Sequence, residues 1–122
     1  MAGFTKSSLT RCLLAAACMA PPWAIAQGSL EAKIAEIREQ SRFLPDKALL
    51  QLRQIESAAR AAPAATKAEF LAQMGVARMR VGKNDAALLQ AEELIAFARQ
   101  HKDGVALATG LLTKGYVLSA MA

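Results

Sequence analysis

Two stretches of this chain repeat one another at a separation of 39 residues, and no other feature limits its fold as much. Asp46 to Arg60 and Asp85 to Arg99 are identical at seven of fifteen positions: Asp46/Asp85, Ala48/Ala87, Leu49/Leu88, Leu50/Leu89, Gln51/Gln90, Ala59/Ala98 and Arg60/Arg99. A period of roughly 20–50 residues marks stacked supersecondary units, each too small to bury its apolar side alone.

The units read as helices. Hydrophobic residues make up 54% of the chain, and Ala and Leu supply much of that share, which favours helix over sheet. Ser29 is expected to cap a first helix over about Leu30 to Arg42, with Leu30, Ile34, Ile37 and Leu44 along one stripe. Leu44-Pro45-Asp46 breaks it, because a residue before proline avoids the helical region. Asp46 opens a second helix to about Ala61, striped by Ala48, Leu49, Leu52, Ile55 and Ala59 and closed by Pro63. A third, about Ala65 to Val81, turns Phe70, Leu71, Met74, Ala77, Arg78 and Val81 inward. Gly82 suits a left-handed C-terminal residue and Asn84 a cap for the fourth helix, about Asp85 to His101, with Ala87, Leu88, Ala91, Leu94, Ile95 and Ala98 inward. Asp103-Gly104 turns the chain into a fifth helix from about Val105, whose stripe is Leu107, Ala108, Leu111, Leu112, Gly115, Leu118 and Met121. No alternating run of useful length suggests a strand. Turns of two to six residues make successive helices antiparallel. The expectation is an all-α chain of helical hairpins stacked as a short α-solenoid, with a closed four- or five-helix bundle as the alternative.

Residues 1–26 read as an export signal, cleaved near Ala26. Lys6 and Arg11 form its positive start, Cys12 to Ala20 its apolar centre, and Ala24-Ile25-Ala26 a small-x-small cleavage site. A membrane anchor is the competing reading, but Cys12 to Ala26 is 15 residues with two prolines, against the roughly 20 apolar residues a span needs. A lipoprotein signal through Cys18 is a third. Both cysteines lie in this segment, so the mature chain has neither a disulfide nor a Cys-based metal site to offer. Without Lys6 and Arg11 it carries 13 basic and 10 acidic residues, mixed along its length, which does not suggest nucleic acid as a partner.

At the level of individual positions the chain resembles tetratricopeptide repeats (TPR). Leu71, Gly75, Gly82 and Ala87 match that motif's large apolar, small, turn and small positions, while Ala48 and Pro63 match the preceding second helix. Leu111 and Gly115 stand 40 residues after Leu71 and Gly75 and restart the pattern. The resemblance covers about residues 29–122 and implies that Ala48, Leu71, Gly75, Ala87, Leu111 and Gly115 are repeat-packing positions. It departs from the usual pattern in its period of 39–40 rather than about 34, and in placing Arg78 and Ala91 where bulky aromatics are usual. It further implies a concave groove lined by Glu69, Gln73, Val76 and Arg80 with Thr109, Thr113 and Tyr116. Such a groove suits a peptide or partner helix in the periplasm. An export signal ahead of divergent repeats resembles the sensory N-terminal part of GGDEF-class diguanylate cyclases. On that resemblance the repeat region is the front of a longer signalling protein. The alternative is a free-standing periplasmic scaffold or envelope assembly factor.

Chemistry is sparse. His101 is the single histidine and sits where a cation suits the end of a helix. Glu92-Glu93 are neighbours in sequence but diverge by about 100° on a helix, so they share no site. Glu31, Glu36 and Glu39 with Lys33, Arg38 and Arg42 read as a solvated face. Arg78, Arg80 and Lys83 complement a helix end or receive an anion. Met74 and Met79 read as packing. Gly75, Gly110 and Gly115 lack phosphate-loop spacing. No catalytic residue, metal ligand or cofactor is expected in this chain.

Overall fold

The structure is a computed structural model that describes residues 22–122, with side chains from Gly28 onward. The leader expected over residues 1–26 therefore lies largely outside the described residues. Five helices follow in order: α1 (Pro22–Gln40), α2 (Pro45–Arg60), α3 (Ala64–Arg80), α4 (Asn84–His101) and α5 (Gly104–Met121). Each runs antiparallel to its neighbour, and the described residues contain no strand.

Helix boundaries follow proline and turn chemistry more than side-chain caps. Pro45 occupies the first turn of α2, where its missing N–H costs nothing. Pro63 precedes the first residue of α3 at φ −54°, so it opens α3 as well as closing α2. Gly82, at φ 79°, ends α3 in the expected left-handed conformation, and the Lys83 N–H reaches back to the Arg78 carbonyl at 2.9 Å. The end of α4 repeats this motif with Lys102 at φ 53°, a non-glycine residue in the left-handed region, and with Asp103 N–H donating to Ala98 O at 2.9 Å. Two expected caps are corrected. Ser29 lies inside α1, and Asn84 is the first residue of α4, behind Lys83, without a capping hydrogen bond. Asp103 is a true cap: its Oδ1 accepts from Ala106 N–H at 3.0 Å, satisfying one orphan donor of α5.

Packing is sequential. α1 touches α2 and α3, α3 touches every other helix, and α5 touches only α3 and α4. No Cα of α1 comes within 8 Å of α4 or α5, so the first and last helices do not meet. α3 is the hub, and Phe70, Leu71, Met74 and Ala77 are buried to the last few per cent. Ile34 and Ile37 of α1, Leu52 of α2 and Leu94 of α4 complete the centre.

The two repeated segments match in burial at several paired positions. Ala48 and Ala87 are both fully buried, as are Leu52 and Ala91, and Ala59 and Ala98. Leu50 and Leu89, identical in the repeat, both face outward. Arg60 of α2 joins α4 by a two-pronged ion pair to Glu93; its Nη1 reaches Oε1 and its Nη2 lies 3.3 Å from Oε2. One expected core residue, Leu44, is exposed, because α1 ends at Gln40 and Leu44 falls in the turn before Pro45.

The largest correction concerns α5. Of its expected inward stripe only Leu107 packs against the core; Ala108, Leu111, Leu112, Gly115, Leu118 and Met121 are exposed. Ala106, Gly110, Thr113 and Val117 are buried instead, a strip of mostly small side chains on the opposite side of the helix. Gly110 explains the choice: a Cβ there would sit 2.8 Å from Ile95 Cγ1 and 3.4 Å from Ala91 O. α5 approaches α4 closely only where side chains are small, and its larger apolar residues are left outside.

Candidate functional site

The feature that stands out chemically is this outer side of α5. Leu111 is 49% exposed, Leu112 61% and Tyr116 64%, with Val105, Ala108, Gly115 and Ser119 on the same side. Single exposed leucines are ordinary, but a contiguous apolar face is not. Leu111, Leu112, Gly115, Tyr116 and Ser119 line an open hollow of about 550 Å³. The helix carries one charged side chain, Lys114, and its Nζ lies 3.5 Å from Glu92 Oε1 of α4, at the edge of the face. No charge projects from the face itself. Leaving a leucine in water rather than burying it forgoes about 2 kcal/mol, so two leucines and a tyrosine together represent a sizeable unrealised burial.

The side chains expected to line a groove separate into three groups. Glu69 and Gln73 are adjacent on α3 and hydrogen-bonded, Gln73 Nε2 donating to Glu69 Oε1 at 3.1 Å; Glu69 also accepts from Arg38 Nη1 at 3.1 Å. Arg80 Nη1 donates to the buried Ser41 hydroxyl at 2.8 Å, and Val76 is half-buried. These contacts tie α1 to α3. Thr109 and Thr113 spend their hydroxyls on their own helix, donating to Val105 O and Thr109 O at 3.0 and 2.9 Å. Thr113 is buried against Gly75, where its Cγ2 would lie 3.6 Å from a Cβ. Of the large side chains in this set Arg80 and Tyr116 are exposed, and Tyr116 belongs to the apolar face.

The repeat-packing positions divide in the same way. Ala48, Leu71, Gly75 and Ala87 are buried, whereas Leu111 and Gly115 lie on the open side of α5, with nothing within 4 Å of a Cβ at Gly115. Gly75 faces Gln90 Cγ of α4 and Thr113 Cγ2 of α5, each at 3.6 Å from a Cβ, so α3 is covered on the side where α5 is bare.

Other clusters are satisfied internally. Gln90, buried on α4, accepts from Arg78 Nη1 at 2.9 Å and donates to Glu93 Oε2 at 2.9 Å. The Arg60 hydrogen bond holds the Glu93 carboxyl below its ordinary range, against the opposing effect of partial burial. His101 stacks on Phe97 with ring centroids 4.2 Å apart, and Lys67 Nζ sits 5.0 Å above the Phe97 ring. Among the described residues no group of three or more His, Cys, Asp or Glu side chains is placed to hold a metal ion. Comparison with known proteins adds no kinship: no family model, curated protein or solved structure matches the chain.

Proposed function

We propose that this chain is a non-catalytic helical module for binding protein or peptide, built as a short TPR-like α-solenoid. The observation that carries the reading is the uncharged outer side of α5, where Leu111, Leu112, Gly115 and Tyr116 form one continuous surface. Contacts that reach no further than the next helix but one, and the matching burial of Ala48 and Ala87, support the solenoid part of the proposal. The leader-like N-terminus supports export to the periplasm. An exported module of this kind suits the sensory front of a membrane signalling protein of the GGDEF-class diguanylate cyclase type, the assignment its sequence organisation resembles. A photo-crosslinking residue placed at Leu112 in cells tests the binding surface, with the same residue at the outward Leu89 as control. A discrete adduct at 112, absent at 89 and lost with Tyr116→Ala, is the expected result. No adduct, or equal labelling at both positions, refutes the reading. Arg80→Glu in the same assay reports on the polar α1–α3 side and is expected to leave the adduct unchanged.

A further inference from the structure

The chain contains its own template for what covers α5. On α3, Leu71 and Gly75 lie one turn apart on a single side of the helix. That side is buried beneath α4 and α5, with Gln90 of α4 and Thr113 of α5 each 3.6 Å from a Cβ at Gly75. Forty residues later Leu111 and Gly115 repeat the pair on α5, and their side is bare. The element that plays the covering part on α3 is α4, an antiparallel helix whose inner stripe is Ala87, Ala91, Leu94 and Ala98. We infer that the outer face of α5 docks an amphipathic helix of another polypeptide that presents an α4-like stripe of alanine and leucine, antiparallel to α5 and closest at Gly115. This inference rests on reading the face as a protein-docking surface, and adds the class of partner.

Three features favour that occupant. The face has no charge of its own; at its edge Lys114 is paired with Glu92 and Arg99 of α4 shares a hollow with Leu111, so a charged peptide finds no counter-charge at the centre around Gly115. Gly115 has open space around its Cα, which lets a second helix backbone approach as α5 itself does on α4 at Gly110. A membrane is less suitable. α5 is long and apolar enough to span by length and composition alone, but insertion would strip Ala106, Gly110, Thr113 and Val117 from α3 and α4.

Tyr116 is the only tyrosine in the chain, so its ring signals in tyrosine-labelled protein report this face alone. The probe is a synthetic peptide of residues 84–101, which contains no tyrosine. Titrated into the full chain, it is expected to shift the Tyr116 signals saturably. Leu112→Glu and Gly115→Leu are expected to weaken binding at least tenfold while the circular dichroism spectrum is retained, and a peptide with Ala91 and Leu94 changed to Glu is expected not to bind. The peptide exchanging for the protein's own α4 would be indifferent to Leu112→Glu, and that result overturns the inference. So do Tyr116 signals that move with protein concentration alone, which indicates a second copy, or only with phosphatidylglycerol vesicles. If the cellular adduct at 112 forms but the peptide fails, the docking surface stands and the α4-like partner falls; if both are absent, both fall.

Discussion

Lys102 is the one non-glycine residue among those described to hold a left-handed backbone, and it does so in the same motif that Gly82 completes one helix earlier in the chain. A Cβ in that conformation costs about 1 kcal/mol, and glycine avoids it. Lys102→Gly is therefore expected to raise stability by roughly 0.5–1 kcal/mol, and Gly82→Ala to lower it by about 1 kcal/mol, both read by thermal unfolding. Glu93 allows a second test. Its folded pKa lies below the ordinary value of 4.5, mainly through the Arg60 hydrogen bond. The folded state thus binds fewer protons than the unfolded one near that pH, and the contribution is present above 4.5 and lost as pH falls through the folded pKa. The difference in melting temperature between wild type and Glu93→Gln should shrink over that range and be small throughout, because both partners are partly exposed. None of this was visible in sequence: Arg60 and Glu93 stand 33 residues apart, and a left-handed lysine leaves no compositional mark. Gly82 was legible because glycine after a helical stripe has few other uses.

At the scale of the element, α2 and α4 were readable and α5 was not. The first two alternate apolar and charged faces, so Ala48, Leu52, Ala87 and Leu94 could be placed inward from spacing alone. α5 is apolar nearly all round, and periodicity cannot choose a side when both sides qualify. The deciding signal was size: Ala106, Gly110 and Thr113 fit against α4 and α3 where leucine would not. Two glycines one and a half turns apart should consequently respond in opposite directions to the same change. Gly110→Ala places a Cβ 2.8 Å from Ile95 Cγ1 and is expected to cost about 1–3 kcal/mol. Gly115→Ala meets nothing within 4 Å and is expected to stabilise the helix by about 0.5–1 kcal/mol. Chemical denaturation of the two variants checks both signs; two losses would mean that the inner and outer sides of α5 are assigned wrongly. Of the candidate face, Leu111, Leu112 and Gly115 were legible as one stripe but misread in its direction, while Tyr116 was expected outward and is exposed.

For the whole molecule, helices consecutive in the chain pack against one another. α3 contacts all four others, while α1 and α5 each have two neighbours and do not meet. Local openings in such an arrangement start at the ends. Amide hydrogen exchange is expected to be slowest in α3 and faster in α1 and α5; uniform protection across the five helices would indicate a single closed core instead. The 39-residue repeat made a run of antiparallel helices foreseeable, since its two segments bury the same positions, Ala48 and Ala87 among them. Held by its two termini and drawn apart under load, a molecule linked in this way would come undone from its extremities inward. The force trace should show stepwise lengthening, with the Phe70 and Met74 layer yielding last.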